Sequence, residues 1–156
     1  MFSFISIAAV VALASGVAAD SIPEGYPANF RFYGNQSICL GFADGGYNGA
    51  SVVGTDCNDA SAALYPVYGI GNVGQIAYTD WCITAAGASP SSDVTAVDCS
   101  DDPAQLWTVT DYDTIETADG KCITLGKAAL GAPATLAECS LQLANKQLWR
   151  PTAAEP

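Results

Sequence analysis

The chain has 156 residues, half of them hydrophobic by type, with 16 acidic side chains against 5 basic ones, no histidine and a formal charge of −11. That balance argues against nucleic acid and anionic lipid as partners, because both are gripped by clustered Lys and Arg. With no histidine and no CxxC pair, the usual zinc sets and the commonest general base are missing, so neither metal nor cofactor is expected.

In chain order, residues 1–19 (MFSFISIAAVVALASGVAA) are uncharged, apolar to small, and end in Val17-Ala18-Ala19, small side chains of the kind a signal peptidase reads. They read as a secretory signal peptide with Asp20 as the mature start, although the usual basic residue after Met1 is missing. An uncleaved anchor is the rival reading; the strongly apolar core of about 13 residues is short of the roughly 20 that span a bilayer. The expected location is therefore extracellular. Residues 20–29 form a lead-in, 30–151 one domain, and 152–156 a tail.

Six cysteines in an oxidising compartment are expected to be disulfides, with 15 connectivities in principle. A repeat selects among them. Cys39 and Cys57, Cys82 and Cys99, and Cys122 and Cys139 form three pairs of near-equal spacing that recur after roughly 40 residues, the period of one supersecondary unit used three times. Equivalent units make equivalent bonds, so the expected disulfides are Cys39–Cys57, Cys82–Cys99 and Cys122–Cys139, each contributing about 3 kcal/mol in the chain-entropy model.

The first unit runs through Phe30-Arg31-Phe32, Ile38-Cys39-Leu40 and Val52-Val53-Gly54-Thr55-Asp56-Cys57 to Ala63-Leu64-Tyr65. The second runs from Gln75-Ile76-Ala77-Tyr78 through Trp81-Cys82-Ile83-Thr84 and Val97-Asp98-Cys99 to Gln105-Leu106-Trp107. In the third, Thr114–Thr117, an Asp119-Gly120 turn and Lys121-Cys122-Ile123-Thr124-Leu125 read as a β-hairpin. A Gly-containing loop, Ala134–Cys139 and Gln147-Leu148-Trp149 follow. No segment carries a long helical period; Ala60–Leu64 and Leu141–Leu148 have room for a short helical turn at most. Each unit has four short strands and cannot cover its own apolar face, so three must close on one core, with Trp107, Trp149 and Tyr65 expected to fill it.

The Cys-Ile-Thr or Cys-Leu strand, the spacing to an acid-Cys pair and the Gln-x-Trp at Gln105–Trp107 and Gln147–Trp149 resemble the ricin B-type lectin domain over about residues 30–151. The resemblance implies an all-β fold, a β-trefoil of twelve strands in six hairpins about a pseudo-threefold axis. It implies that Gln105 and Gln147 brace the loops of their units, and that the general activity is glycan binding. In that family's galactose-type pocket an Asp stands two residues after the first Cys, an aromatic two before the second, and an Asn before the Gln of Gln-x-Trp. Here the Asp position reads Gly41, Thr84 and Thr124, the aromatic position Thr55, Val97 and Ala137, and the Asn position Ala62, Ala104 and Lys146. No unit retains the usual pocket.

A displaced site is the alternative, because the first hairpin's Phe42–Gly49 loop gathers Asp44, Tyr47 and Asn48. A carboxylate and an amide suit sugar hydroxyls, and an aromatic suits a sugar's apolar face. The competing reading is an ordinary turn in which Asp44 bonds its own backbone. Trp81 is expected to pack under the loop that follows Thr84. Catalysis is not expected: there is no Ser-His or Cys-His pair, and Asp101-Asp102 and Asp111 with Asp113 lie in loop-like, solvated sequence. The function read from sequence is a secreted, non-catalytic carbohydrate-binding protein whose partner is a glycan or glycoprotein. The alternatives are a β-trefoil interaction protein, such as a protease inhibitor presenting Lys127 on its loop, and a trefoil that no longer binds sugar. Asn35-Gln36-Ser37 is an N-glycosylation sequon in a turn.

Overall fold

Alternating apolar and polar residues between Gly-rich turns make short strands throughout the computed structural model, which describes residues 22–154. Residues 1–19, expected from sequence to be a signal peptide, lie outside the described residues, as do 20, 21, 155 and 156. In chain order the strands are β1 Ala28–Phe32, β2 Ile38–Phe42, β3 Val52–Asp56, β4 Tyr65–Pro66, β5 Val73–Gly74, β6 Ile76–Tyr78, β7 Trp81–Ala85, β8 Val94–Asp98, β9 Trp107–Val109, β10 Ile115–Glu116, β11 Lys121–Leu125, β12 Ala134–Glu138 and β13 Trp149–Ala153. Helical structure among the described residues is limited to short turns and the four-residue α1, Ala144–Gln147, as the sequence leads one to expect.

The repeat appears as three equivalent hairpins, β2–β3, β7–β8 and β11–β12, each pairing over five residues. They clasp one another by the same two backbone bonds repeated about a threefold axis. The Ala96 N–H donates to the Ala50 carbonyl and the Ala96 carbonyl accepts from Gly49 N–H; Leu136 does the same with Ser92 and Ser91, and Gly54 with Ala132 and Gly131. Only glycine fits at the third of these positions. A side chain at Gly54 would meet the Ile38 Cγ2 at 2.9 Å and the Ala129 carbonyl oxygen at 3.1 Å.

The remaining strands form a ring. The first and last strands pair from Ala28↔Ala153 to Phe32↔Trp149, Ala28 bridges Leu64, β4 pairs β6, and β5 and β10 flank β9. Trp149 N–H closes the circuit by donating to the Asp113 carbonyl at 2.6 Å. The ring leaves little open sheet edge. The fold is the expected β-trefoil, with thirteen strand segments rather than twelve because the first strand of the second unit is interrupted at Gln75. That side chain turns aside to donate to the Ser100 carbonyl and to Gln105 Oε1.

Each unit sends an equivalent side chain to the centre, Leu40, Ile83 and Ile123, all fully buried, with Phe30, Phe32, Ile76 and Ile115 around them. Trp107 and Trp149 are buried as expected, and each indole N–H donates to the carbonyl of its unit's central residue, Ile83 at 2.8 Å and Ile123 at 2.9 Å. The expectation for Tyr65 is corrected: it is 40% exposed, and Leu64 takes the core place at 0%. The loop after Cys57 is shorter than its counterparts, so counting from the second Cys overshoots by one. The three disulfides join Cys39–Cys57, Cys82–Cys99 and Cys122–Cys139. They tie each hairpin's base to the loop that leads back into the ring.

Candidate functional site

At the positions where the resemblance would place a pocket carboxylate, the side chains present are engaged within the protein or have no room. In the second unit Thr84 is buried and its hydroxyl donates to the Cys82 carbonyl at 3.0 Å. In the third, Thr124 repeats that bond to Cys122 and also accepts from Gln147 Nε2 at 3.0 Å. In the first, a side chain at Gly41 would collide with Thr55 Cγ2 and the Ser61 carbonyl. The shortened loop also shifts the first-unit Asn position: the residue before the Gln-equivalent Ala62 is Ser61, not Ala62. Ser61 is fully buried, its hydroxyl exchanging hydrogen bonds with the backbone of Phe42. Ala104 and Lys146 keep the places assigned to them.

Gln147 and Gln105 brace their loops. Gln147 Nε2 also donates to the Glu138 carbonyl and its Oε1 accepts from Ser140 N–H, both at 2.9 Å. Gln105 holds the Asp98 carbonyl and Ser100 N–H in the same way.

On the β2–β3 loop, Asp44 adopts a left-handed conformation (φ 52°, ψ 34°) and is exposed. Its carboxylate has no hydrogen-bond partner among the described residues, so the bond to its own backbone expected of an ordinary turn is not made. Asp44 borders a shallow depression of about 400 Å³ with Thr55, Asp56, Asp59 and Leu130. Two of these acids are partly engaged: Asp56 accepts from Asn58, and Asp59 caps the following turn at Ser61 N–H. Tyr47, 51% exposed, and Asn48 stand on the same loop but do not line the depression. Sequence proximity groups these three residues; of the three only Asp44 borders this hollow.

Trp81 packs against the first unit's loop. A side chain at Gly46 (φ 88°) would meet its ring at 3.4 Å, and Tyr78 lies between it and Phe42, with ring centroids 6.4 and 5.9 Å away. The hairpin loop of one unit therefore rests on an aromatic of the next.

Lys127 is exposed beside a hollow that Leu130 and Pro133 also line, and the loop curls there, with Ala129 N–H donating to the Lys127 carbonyl. Asp101, Asp102 and Asp111 are exposed, and Asp102 caps a turn at Ala104 N–H. Asp113 is half-buried; burial pushes its carboxyl above the ordinary 3.8, while the Arg150 guanidinium pulls it back. The described residues contain one close group of metal-ligand types, Glu116 with Cys122 and Cys139, but its two sulfurs are bonded to each other. A disulfide is not a thiolate donor. Asn35 is exposed in the turn between β1 and β2, where its Oδ1 accepts from Ser37 N–H.

A closed ring of strands capped by three clasped hairpins defines a β-trefoil. The model of the ricin-type β-trefoil lectin domain matches residues 28–127 and again 69–155, two registers one repeat apart. The chain belongs to the ricin-type β-trefoil lectin domain family. Its fold is shared with the designed threefold-symmetric protein ThreeFoil (TM-score 0.70, 15% identity, 81% of this chain and 97% of that one). It is also similar to the agglutinin of Abrus precatorius (TM-score 0.68, 21% identity), of which the match spans 51% while taking 86% of this chain. The β-trefoil lectin of the Vibrio vulnificus hemolysin/cytolysin, solved with N-acetyl-D-lactosamine bound, aligns at TM-score 0.61 and 19% identity over 84% of this chain and 96% of that one. No curated protein sequence matches the chain.

Proposed function

We propose that this protein is a secreted, non-catalytic carbohydrate-binding protein that takes its glycan on the first unit's hairpin rather than in the family's usual pockets. The observation that carries the reading is the contrast within a lectin-family fold between Thr84 and Thr124, tied to their own backbone at the expected carboxylate positions, and an unpartnered Asp44 carboxylate bordering an open hollow. A carboxylate with free lone pairs accepts hydrogen bonds from neighbouring sugar hydroxyls, and exposed Tyr47 on the same loop offers a ring face. Relatives in fold point the same way: the Vibrio trefoil holds a disaccharide, and the Polyporus squamosus lectin was solved with a sialylated trisaccharide. Three disulfides and a leader-like first segment support an extracellular setting. The non-catalytic part of the reading rests on the scattered, mostly exposed acids and the lack of any histidine.

A glycan array on the oxidised protein, with an Asp44→Ala/Tyr47→Ala variant beside it, tests this. Binding that the variant loses supports the assignment; binding that it keeps moves the site elsewhere; silence from both across buffers removes the lectin reading. The protease-inhibitor alternative needs an extended segment to lie in a protease cleft, whereas the chain curls at Lys127. Trypsin inhibition that Lys127→Ala abolishes would restore it.

A further inference from the structure

The outer face of the β1–β13 seam carries an arrangement that the fold alone does not require. Arg31 and Arg150, two of only five basic residues in a chain of charge −11, stand directly opposite each other across the antiparallel pair. Like charges in that position are destabilising. Neither makes an ion pair among the described residues, where the ion pairs found are those of Lys121 with Asp119 and Glu138. Arg31 is held in place instead: Nε donates to Thr152 Oγ1 at 3.2 Å and Nη1 to the Gln36 carbonyl at 3.0 Å, which leaves Nη2 free.

Beside it lies a hollow of about 580 Å³, lined by Asn29, Arg31, Asn58, Asp59 and Thr152 among others. Asn29 is 7% exposed, and its Nδ2 is fixed by the Cys57 carbonyl at 2.8 Å. Its Oδ1 has no partner among the described residues, and it belongs to a side chain that lines the hollow. The only carboxylate in this lining, Asp59, already caps the turn at Ser61 N–H. A positioned guanidinium with an open edge, beside a solvent-accessible amide oxygen on an otherwise buried side chain, matches one kind of ligand: a saccharide that carries both an anionic group and hydroxyls.

We propose that this hollow is a second subsite, selective for an acidic sugar, with Arg31 receiving the anion, Asn29 Oδ1 accepting from a neighbouring hydroxyl, and Arg150 adding positive charge from across the strand pair. It deepens the carbohydrate-binding reading and rests on it. Asp59 borders both this hollow and the Asp44 depression, so a glycan of several residues can run from one to the other.

Isothermal titration of the full oxidised protein with a tri- to hexa-galacturonate, its methyl ester and a sulfated oligosaccharide of similar length tests the proposal. The first two differ in charge and by one ester methyl per residue; the first and third separate carboxylate from sulfate recognition. The acid should bind at least tenfold more tightly than the ester, and Arg31→Gln should erase that preference. Asp44→Ala should leave it intact. Arg150→Gln, whose parent side chain makes no hydrogen bond among the described residues, should reduce it severalfold without disturbing the fold. That variant keeps the test valid if Arg31→Gln unfolds the turn. Tighter binding of the sulfated chain with the same dependence on Arg31 assigns the subsite to sulfate and still supports it. Equal affinity for acid and ester, or a preference unmoved by either arginine variant, overturns this subsite and leaves the Asp44 reading standing. No binding to any glycan, acidic or neutral, overturns both.

Discussion

Replacing Gln147 by Met tests whether the braced loop, rather than the tryptophan beside it, holds the third unit together. Methionine nearly conserves the volume of glutamine and suits an irregular buried site, so no cavity opens and the effect isolates the polar contacts. Three hydrogen bonds disappear, to Thr124 Oγ1 (3.0 Å), the Glu138 carbonyl (2.9 Å) and Ser140 N–H (2.9 Å), around a side chain that is 1% exposed. Each contributes about 0.5–1.5 kcal/mol net, more where the abandoned group is shut away from water. Thr124 keeps its bond to Cys122, and the Ser140 end is half-exposed, so water recovers part of the loss. The expected destabilisation is about 2–4 kcal/mol. Urea unfolding of the oxidised protein reads it as a lower midpoint at unchanged slope. A loss below about 1 kcal/mol would show that water replaces the brace and would refute the reasoning.

Three further outcomes follow. Because the Asp113 carboxyl lies above its unfolded value of 3.8 in the folded state, the charged form opposes folding, and stability falls as pH rises through that interval. Asp113→Asn, which suits the left-handed φ of 62°, should therefore raise Tm at pH 7, and the gain should vanish below about pH 3; a pH-independent gain would point to backbone effects instead. Gly41→Asp, which restores the family's pocket carboxylate in the first unit, should cost about 2–4 kcal/mol by overpacking and confer no glycan binding, checked by the same denaturation and by an array. The exposed Asn35 sequon should carry an N-glycan when the protein is made in a secretory pathway; an intact mass that glycosidase treatment leaves unchanged would exclude it.

The repeat made the disulfides and the trefoil legible because hairpin pairing and cysteine bonding are local and recur in phase. What the sequence hid came from changes in loop length and from distance along the chain. The first unit has Ala62 where the others have glutamine, so nothing in the sequence marked its register, and Leu64 was displaced by Tyr65 in the count. Gln75 looked like part of a strand; its bond to Gln105 exists only because the second unit's loop folds back over it. Asp44, Tyr47 and Asn48 are neighbours in sequence, but positive φ at Asp44, Gly45 and Gly46 winds the loop so that only the first borders the hollow. Arg31 and Arg150 come from opposite ends of the domain, and no local pattern brings them together.

The β1–β13 seam also fixes an order of events. Arg31 and Thr152, joined by a hydrogen bond, are 121 positions apart, whereas each disulfide closes a span of 17 or 18. Hairpins and their bonds can form as each unit leaves the ribosome, but the first strand must wait with an unpaired edge until the last has been made. Pulse-labelled hydrogen exchange should find the amides of β1 and β13 the last to gain protection; early protection there would reverse the order. Since Ala28 and Ala153 are partners, the first and last strands of the domain meet end to end, and a short linker between them with new ends in the Gly126–Pro133 loop should yield a permutant that has no late strand to wait for.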